Sequence, residues 1–109
     1  MPTTYKVLGQ SNPSATTATT LYTVPSATQA VISTITVCNQ AATSASYRIA
    51  VRPAGASLAA QHYVAYDIAI AANDTTALTL GIALSATDVV TVYAATANLS
   101  FSAFGSEIA

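Results

Sequence analysis

Residues 46–52 read Ser-Tyr-Arg-Ile-Ala-Val-Arg, and in this stretch bulky apolar side chains alternate with polar or small ones. In an extended chain, Tyr47, Ile49 and Val51 fall on one side and both arginines fall on the other. A period of two is typical of a β-strand, whereas the apolar stripe of an α-helix repeats every three to four residues. The stretch therefore predicts a strand with one face toward a core and the other toward solvent.

Similar runs recur at intervals of roughly ten residues, separated by turns rich in Pro, Asn, Asp and Gly. They predict strands at 3–8, 21–24, 31–38, 46–52, 63–70, 77–84, 89–93 and 99–103. Such a series indicates an all-β fold, a single antiparallel β-sandwich over residues 1–109 that is Ig-like or jelly-roll-like. Runs 21–24 and 89–93 are apolar on both faces, which indicates central or covered strands. The alanine-rich segment 54–61 has room for one helical turn.

The apolar sides of these strands define the predicted core. Its members are Tyr47, Ile49, Val51, Val64, Tyr66, Ile68, Leu78, Leu80, Ile82, Val90, Val92, Leu99 and Phe101. Each lies on the apolar side of an alternating run or within a run that is apolar on both sides.

Charge is scarce in this chain. Three basic and four acidic residues make up 6% of the sequence, against roughly 25% in ordinary soluble domains. So few basic residues cannot form the positive surface that phosphate backbones require, which excludes nucleic acid as a partner. No apolar run approaches the roughly 18 residues that a membrane span needs, and the first residues lack a signal-peptide pattern. We expect neither membrane insertion nor secretion.

Residues capable of chemistry are few and dispersed. His62 has no partner at a catalytic spacing, so we expect an exposed or capping imidazole. Cys38 has no basic neighbour in sequence to activate it and is interpreted as a small buried hydrophobe. The acidic residues lack the spacing of a metal-binding loop. We predict no catalytic, cofactor-binding or metal-binding residue, and a protein that is not an enzyme.

Four residues are candidates for an interface: Arg48, Arg52, Tyr22 and Tyr93. The two arginines share one strand face, where they could solubilise the surface or pair with Asp67 or with an acid on another subunit. The tyrosines lie in the two runs that are apolar on both sides.

The surface must consist largely of Ala, Thr, Ser and Tyr, because seven charges cannot cover a domain of this size. Small neutral side chains form flat faces that pack closely on another protein, and a nearly neutral surface of this kind favours association. We therefore expect a subunit of an assembly, a homo-oligomer that also binds other proteins.

Six stretches support a more specific interpretation. They are Tyr-Lys-Val-Leu-Gly-Gln at 5–10, Thr-Leu-Tyr-Thr-Val-Pro at 20–25, Ile-Thr-Val-Cys-Asn at 35–39, Tyr-Arg-Ile-Ala-Val-Arg-Pro-Ala-Gly at 47–55, Asp-Val-Val-Thr-Val-Tyr-Ala at 88–94 and Leu-Ser-Phe-Ser-Ala-Phe-Gly at 99–105. Together they resemble a group of small structural proteins of tailed bacteriophages, including phages of cyanobacteria and marine bacteria. The resemblance extends from about Tyr5 to Ile108. It implies a β-sandwich component of the virion, assembled in the host cytoplasm, with no catalytic residue to carry over.

Three functions remain as hypotheses. The first is a capsid decoration or cement protein that binds the major capsid protein and stabilises the lattice. The second is a tail, neck or fibre component of the virion. The third is a carbohydrate-binding module, for which the aromatic side chains would be Tyr5, Tyr22, Tyr47, Tyr63, Tyr66 and Tyr93.

Overall fold

The structure, a computed structural model, describes residues 2–109. Within this range the chain forms eight strands: β1 (Thr3–Ser11), β2 (Thr19–Thr23), β3 (Gln29–Asn39), β4 (Ala45–Arg52), β5 (Tyr63–Ile70), β6 (Thr75–Leu84), β7 (Val89–Ala94) and β8 (Leu99–Ile108). All eight predicted strands are confirmed. The only helical elements in the described range are two single 3-10 turns, Pro53–Gly55 and Ala60–His62, where the sequence predicted one.

The strands pair in nested order around the connection between β4 and β5. β4 pairs with β5, β3 with β6, β2 with β7 and β1 with β8, and every pair is antiparallel. Pairing of β3 with β8 and of β4 with β7 joins these four strand pairs into two sheets. The first sheet has the order β1-β8-β3-β6 and the second β2-β7-β4-β5. This is the strand order of an eight-stranded jelly roll, so the jelly-roll-like alternative is the one observed.

The core fills the space between the two sheets. Six predicted members are fully buried: Tyr47, Ile49, Val90, Val92, Leu99 and Phe101. Three more, Val51, Leu78 and Ile82, are partly buried and pack against that core. The rings of Tyr47 and Phe101 meet edge to face with centroids 6.0 Å apart, which joins strands of opposite sheets. In β4, the alternation of the sequence therefore correctly predicts which side chains face the core.

The core prediction is wrong for four residues, Val64, Tyr66, Ile68 and Leu80, which are 43–54% exposed. They lie on β5, an edge strand of the second sheet, and on β6, an edge strand of the first. An edge strand has a neighbouring strand on one side only, so its side chains are less covered. Both strands are also bulged. In β6, Leu80 and Gly81 together stand opposite Ser33, the single β3 residue between Ile32 and Thr34. An extra residue shifts the side chains from one face of the sheet to the other.

β5 has two bulges. In the first, Val64 is an extra residue between Tyr63 and Ala65, which pair with consecutive β4 residues, and the second has the form of the β6 bulge. Ile68 pairs with Tyr47 and Ala65 pairs with Ile49, so two β5 residues stand opposite one residue of β4. One of those two is Asp67, whose φ of 50° is unusual for a residue other than glycine. Alternation along β5 therefore does not predict which of its residues face the core.

The segment between β4 and β5 runs across the outer face of the second sheet. Val89 and Thr91 of β7 are buried there, although they alternate with the core-facing residues of that strand. Gly55 lies against this face, since a Cβ added to it would lie 3.8 Å from Val89 Cγ2. β7 is therefore a central strand covered on both sides, which confirms the interpretation of its apolar run.

The other two-sided run, in β2, belongs to an edge strand, so it is the covered alternative and not the central one that is observed there. Leu21 and Tyr22 are buried because β2 also packs against β1 and β8 of the first sheet. The approach is close, because a Cβ added at Gly9 would overlap the Leu21 carbonyl oxygen. Glycine is required where the two backbones meet.

Truncation of one buried and one exposed side chain will test these faces. We expect Ile49→Ala to lower the free energy of unfolding by about 2–5 kcal/mol, because it leaves a cavity in a closed core. Leu80→Ala removes an exposed side chain and should cost about 1 kcal/mol or less. Urea unfolding followed by circular dichroism measures both. Equal losses for the two variants would contradict the assignment of the β6 face.

Candidate binding surfaces

The outer face of the first sheet consists of cross-strand rows of uncharged side chains. Side chains that pair across antiparallel strands point to the same side of a sheet. Two adjacent rows form the centre, Val7 with Phe104 and Thr34 in one, and Tyr5 with Ser106 and Val31 in the other. We call the surface formed by these six residues the neutral face.

None of the chain's seven charged side chains lies on the neutral face. Lys6 and Glu107 belong to the rows that alternate with it, since Glu107 pairs with the buried Ala30 of β3. The others are on the outer face of the second sheet or in turns: Arg48, Arg52, Asp67, Asp74 and Asp88. One entire sheet surface is therefore without charge.

The neutral face is also apolar at its centre. Tyr5 is 83% exposed and Val7 is 49% exposed, and Val31 and Phe104 are exposed as well. The whole outer surface of the first sheet, with the neutral face as its central part, spans roughly 600 Å², because its four strands are about 4.8 Å apart and about ten residues long. This area approaches the ~800 Å² that each partner contributes to a standard protein interface. Exposed apolar side chains that lie together, as Tyr5, Val7, Val31 and Phe104 do, are typical of contact sites.

A second feature is centred on Arg48, on the outer face of the second sheet. Its guanidinium carbon lies 4.2 Å from the ring centroid of Tyr66 and 4.4 Å from that of Tyr93. Its Nε donates to Asp67 Oδ1 at 2.7 Å and its Nη2 donates to Asp67 Oδ2 at 3.3 Å. The hydrogen bond to Asp67 raises the pKa of Arg48 above its ordinary value. Of the alternatives for Arg48, the pairing with Asp67 is the one observed, and the guanidinium is held between two rings.

Beside this cluster lies a cleft of about 660 Å³ lined by Leu58, Ala59, Ala60, Tyr63 and Tyr66, which we call the tyrosine cleft. The rings of Tyr63 and Tyr66 are perpendicular, with an interplanar angle of 84° and centroids 4.9 Å apart. Tyr66 belongs to both the cleft and the Arg48 cluster. The cleft is therefore lined mainly by apolar side chains, and Tyr66 connects it to the ion pair of Arg48 and Asp67.

Arg52 and His62 hold the covering segment in place. Arg52 Nε donates to Thr91 Oγ1 at 3.1 Å, and its Nη1 donates to the Ala56 carbonyl at 3.1 Å. His62 is buried, and its Nδ1 accepts a hydrogen bond from the Ala59 amide at 3.1 Å. The expected capping role of the imidazole is thus confirmed, while the alternative of an exposed imidazole is wrong. Arg52, a candidate interface residue, is engaged within its own chain.

Tyr22, another candidate interface residue, is buried at the edge where the sheets meet. Its hydroxyl donates to Glu107 Oε2, and Lys6 Nζ lies 2.8 Å from Glu107 Oε1. Burial, together with the hydrogen bond to Glu107, raises the pKa of Tyr22 above its ordinary value of 10.0. Hydrogen bonds from Lys6 and Tyr22 lower the pKa of Glu107. We call these three residues the edge clasp, because they connect β2 of the second sheet to β1 and β8 of the first.

The remaining candidates are dispersed in the fold. Cys38 is a free, half-buried thiol at the end of β3 rather than a fully buried one. Across residues 2–109, no three His, Cys, Asp or Glu side chains gather as a metal site would require. The helical turns of this part of the chain are too short to cross a membrane.

The sequence pattern did not predict that the tyrosine cleft forms. Tyr63 and Tyr66 are among the six tyrosines of the carbohydrate-binding hypothesis, but the alternation of β5 also placed Tyr66 in the core, and Leu58 had no predicted role. The available signal was Asp67, a charged residue within the same apolar run that marks where the alternation breaks. Tyr93 was selected as a possible interface residue, and the structure brings it together with Arg48 beside this cleft.

Comparison with known proteins identified no relative of this chain: no family model, curated protein or solved structure matches it. The class of the protein, an eight-stranded jelly roll, rests on its own strand order.

The edge clasp makes stability depend on pH in both directions. The lowered pKa of Glu107 means that its contribution is present above the unfolded value of about 4.3 and is lost as the pH falls through the folded value. The raised pKa of Tyr22 means that its contribution is complete below about 10 and is lost as the pH rises through the folded value. Urea unfolding across the pH range should therefore give a plateau with a decline on each side.

Variants separate these two declines. Glu107→Gln should flatten the acid decline, because it removes the titrating carboxyl group. Tyr22→Phe should make the alkaline decline smaller without abolishing it, because burial also raises the pKa of Tyr47. Asp74→Asn is the control, since Asp74 lies in the turn between β5 and β6, away from the clasp. If Glu107→Gln kept the full acid decline of the natural chain, the clasp would not be the source of it.

Proposed function

We propose that this protein is a non-enzymatic structural protein of a phage virion, and that it decorates the capsid as a cement protein. The observation that carries the proposal is the neutral face. An uncharged, partly apolar sheet surface on a small domain suits permanent contact with another protein, here the major capsid protein.

The chemistry of the neutral face favours close packing over steering by charge. Tyr5 and Phe104 are aromatic side chains of the kind that anchor interfaces, and their neighbours Thr34 and Ser106 are small. Contact through such a surface desolvates no charge, so its binding free energy depends little on ionic strength. Copies at a lattice junction would also contact one another, which accounts for the expected homo-oligomer.

The fold supports the proposal by analogy. Eight-stranded jelly rolls are common in viral capsid proteins and in lectins, although one fold serves many functions. Together with the resemblance of the strand and turn motifs to phage structural proteins, this analogy favours a virion component. A position in the tail, neck or fibre would use the same face on a different partner.

Introducing charge into the neutral face tests the proposal. Phe104→Lys should weaken co-sedimentation with particles that lack the protein by at least tenfold, because the contact would bury an unpaired ammonium. Ala42→Lys, in the exposed turn between β3 and β4, is the matched control and should bind like the natural chain. Binding of the natural chain should be similar at low and high salt.

Copy number then distinguishes the particle locations. Hundreds of copies in an intact virion indicate the capsid, and a dozen or fewer indicate the tail or neck. If the natural chain bound no particle at any salt concentration, or if Phe104→Lys bound as well as Ala42→Lys, the neutral face would not be a virion contact.

A further inference from the structure

We propose that the tyrosine cleft binds an uncharged saccharide. This site is independent of the neutral face and belongs to the opposite sheet. Its dimensions are suitable, because the volume of about 660 Å³ falls within the range of roughly 300–1,000 Å³ that is usual for small-molecule sites.

The lining of the cleft matches the two surfaces of a pyranose. The C–H groups on one side of the ring form an apolar and slightly positive surface, which packs against the electron-rich face of an aromatic ring. Tyr63 and Tyr66 provide aromatic surface, and their perpendicular arrangement gives the cleft an aromatic corner. Leu58 and two alanines complete an apolar lining that suits close approach.

Hydrogen-bonding groups for hydroxyls lie next to the cleft, because Asp67 follows the lining residue Tyr66 in the chain and pairs with Arg48, which Tyr66 contacts. Asp67 is half exposed, with a side-chain exposure of 47%, and each of its oxygens accepts one hydrogen bond from Arg48. A carboxylate oxygen can accept more than one hydrogen bond, so Asp67 retains acceptor capacity toward a ligand hydroxyl. The phenolic hydroxyls of Tyr63 and Tyr66 can donate or accept.

The charge of the site favours a neutral ligand over an acidic one. The positive charge of Arg48 is already paired with Asp67 in a two-bond geometry and packed between two rings. An anionic sugar would have to compete with that carboxylate for the guanidinium. A neutral sugar requires no such exchange and meets a site whose net charge is zero.

The geometry of the site is set before a ligand arrives. Tyr66 contacts Arg48 on one side and Tyr63 on another, so its ring has little freedom to lose on binding. An extended peptide is a poorer occupant. The β5 edge is interrupted at Asp67, whose positive φ breaks the regular row of backbone groups that an added strand would need.

The position of the cleft also fits a particle surface. The neutral face and the tyrosine cleft are on the outer faces of opposite sheets, so they point in opposite directions. A copy that binds a particle through the neutral face leaves the cleft toward solvent, where it could meet the glycans of a cell surface.

Saturation-transfer NMR with the purified full chain tests the proposal. The probes are neutral hexasaccharides of glucose, xylose, mannose and N-acetylglucosamine, with heparin and polygalacturonate as acidic comparisons. We expect at least one neutral probe to bind with a dissociation constant in the millimolar range or tighter. Tyr66→Ala should weaken that binding at least tenfold, and Tyr66→Phe should retain most of it because the ring remains.

Tyr5→Ala is the matched control, since it removes an exposed tyrosine from the opposite face and should leave saccharide binding unchanged. The proposal is overturned if no neutral probe binds at millimolar concentration, if only the acidic probes bind, or if Tyr66→Ala binds as tightly as the natural chain. Circular dichroism of Tyr66→Ala establishes that it is folded. Because Tyr66→Ala should still co-sediment with particles and Phe104→Lys should still bind saccharide, failure of one proposal is distinguishable from failure of the other.

Discussion

Nested antiparallel pairing around the β4–β5 connection is the constraint on which the rest of the structure depends. Because successive nested pairs alternate between the sheets, β1:β8 and β3:β6 form one sheet and β2:β7 and β4:β5 form the other. The connection at the centre of the nest then crosses the outer face of the second sheet and buries Val89 and Thr91 there. The first sheet has no such cover from the described residues. The outer surface of the first sheet is therefore free to contact water or another protein, and the neutral face is part of that surface.

The few charges of the chain act mainly inside one copy. Lys6 and Glu107 join Tyr22 at the edge of the sandwich and connect the two sheets. Arg48 and Asp67 pair across neighbouring strands and are flanked by aromatic rings. Charges used in this way cannot also serve an interface through the first sheet. The pairing of charged side chains within one copy and the absence of charge from the neutral face both follow from the small number of charged residues.

The two outer faces have different chemistry, and the proposed functions follow that difference. One is a broad sheet surface without charge, which suits contact with another uncharged protein surface. The other carries a concave site with aromatic walls and a fixed ion pair, which suits a small polar ligand with an apolar side. The bulge at Asp67 produces this second site, because it places Tyr66 outward beside Arg48 instead of in the core.

The sequence by itself determined the strands, because alternation is a local property that each run carries alone. It also determined that the surface would be short of charge, and it identified Arg48 and Asp67 as possible partners. Only the tertiary structure decided which faces of β5 and β6 look outward, because a bulge exists only relative to the register of the neighbouring strand. Tyr22 and Glu107, 85 residues apart in the chain, meet because the nested pairing places β2 against β8. Contacts between sheets depend on how the whole chain is rolled, and no local pattern of residues encodes them.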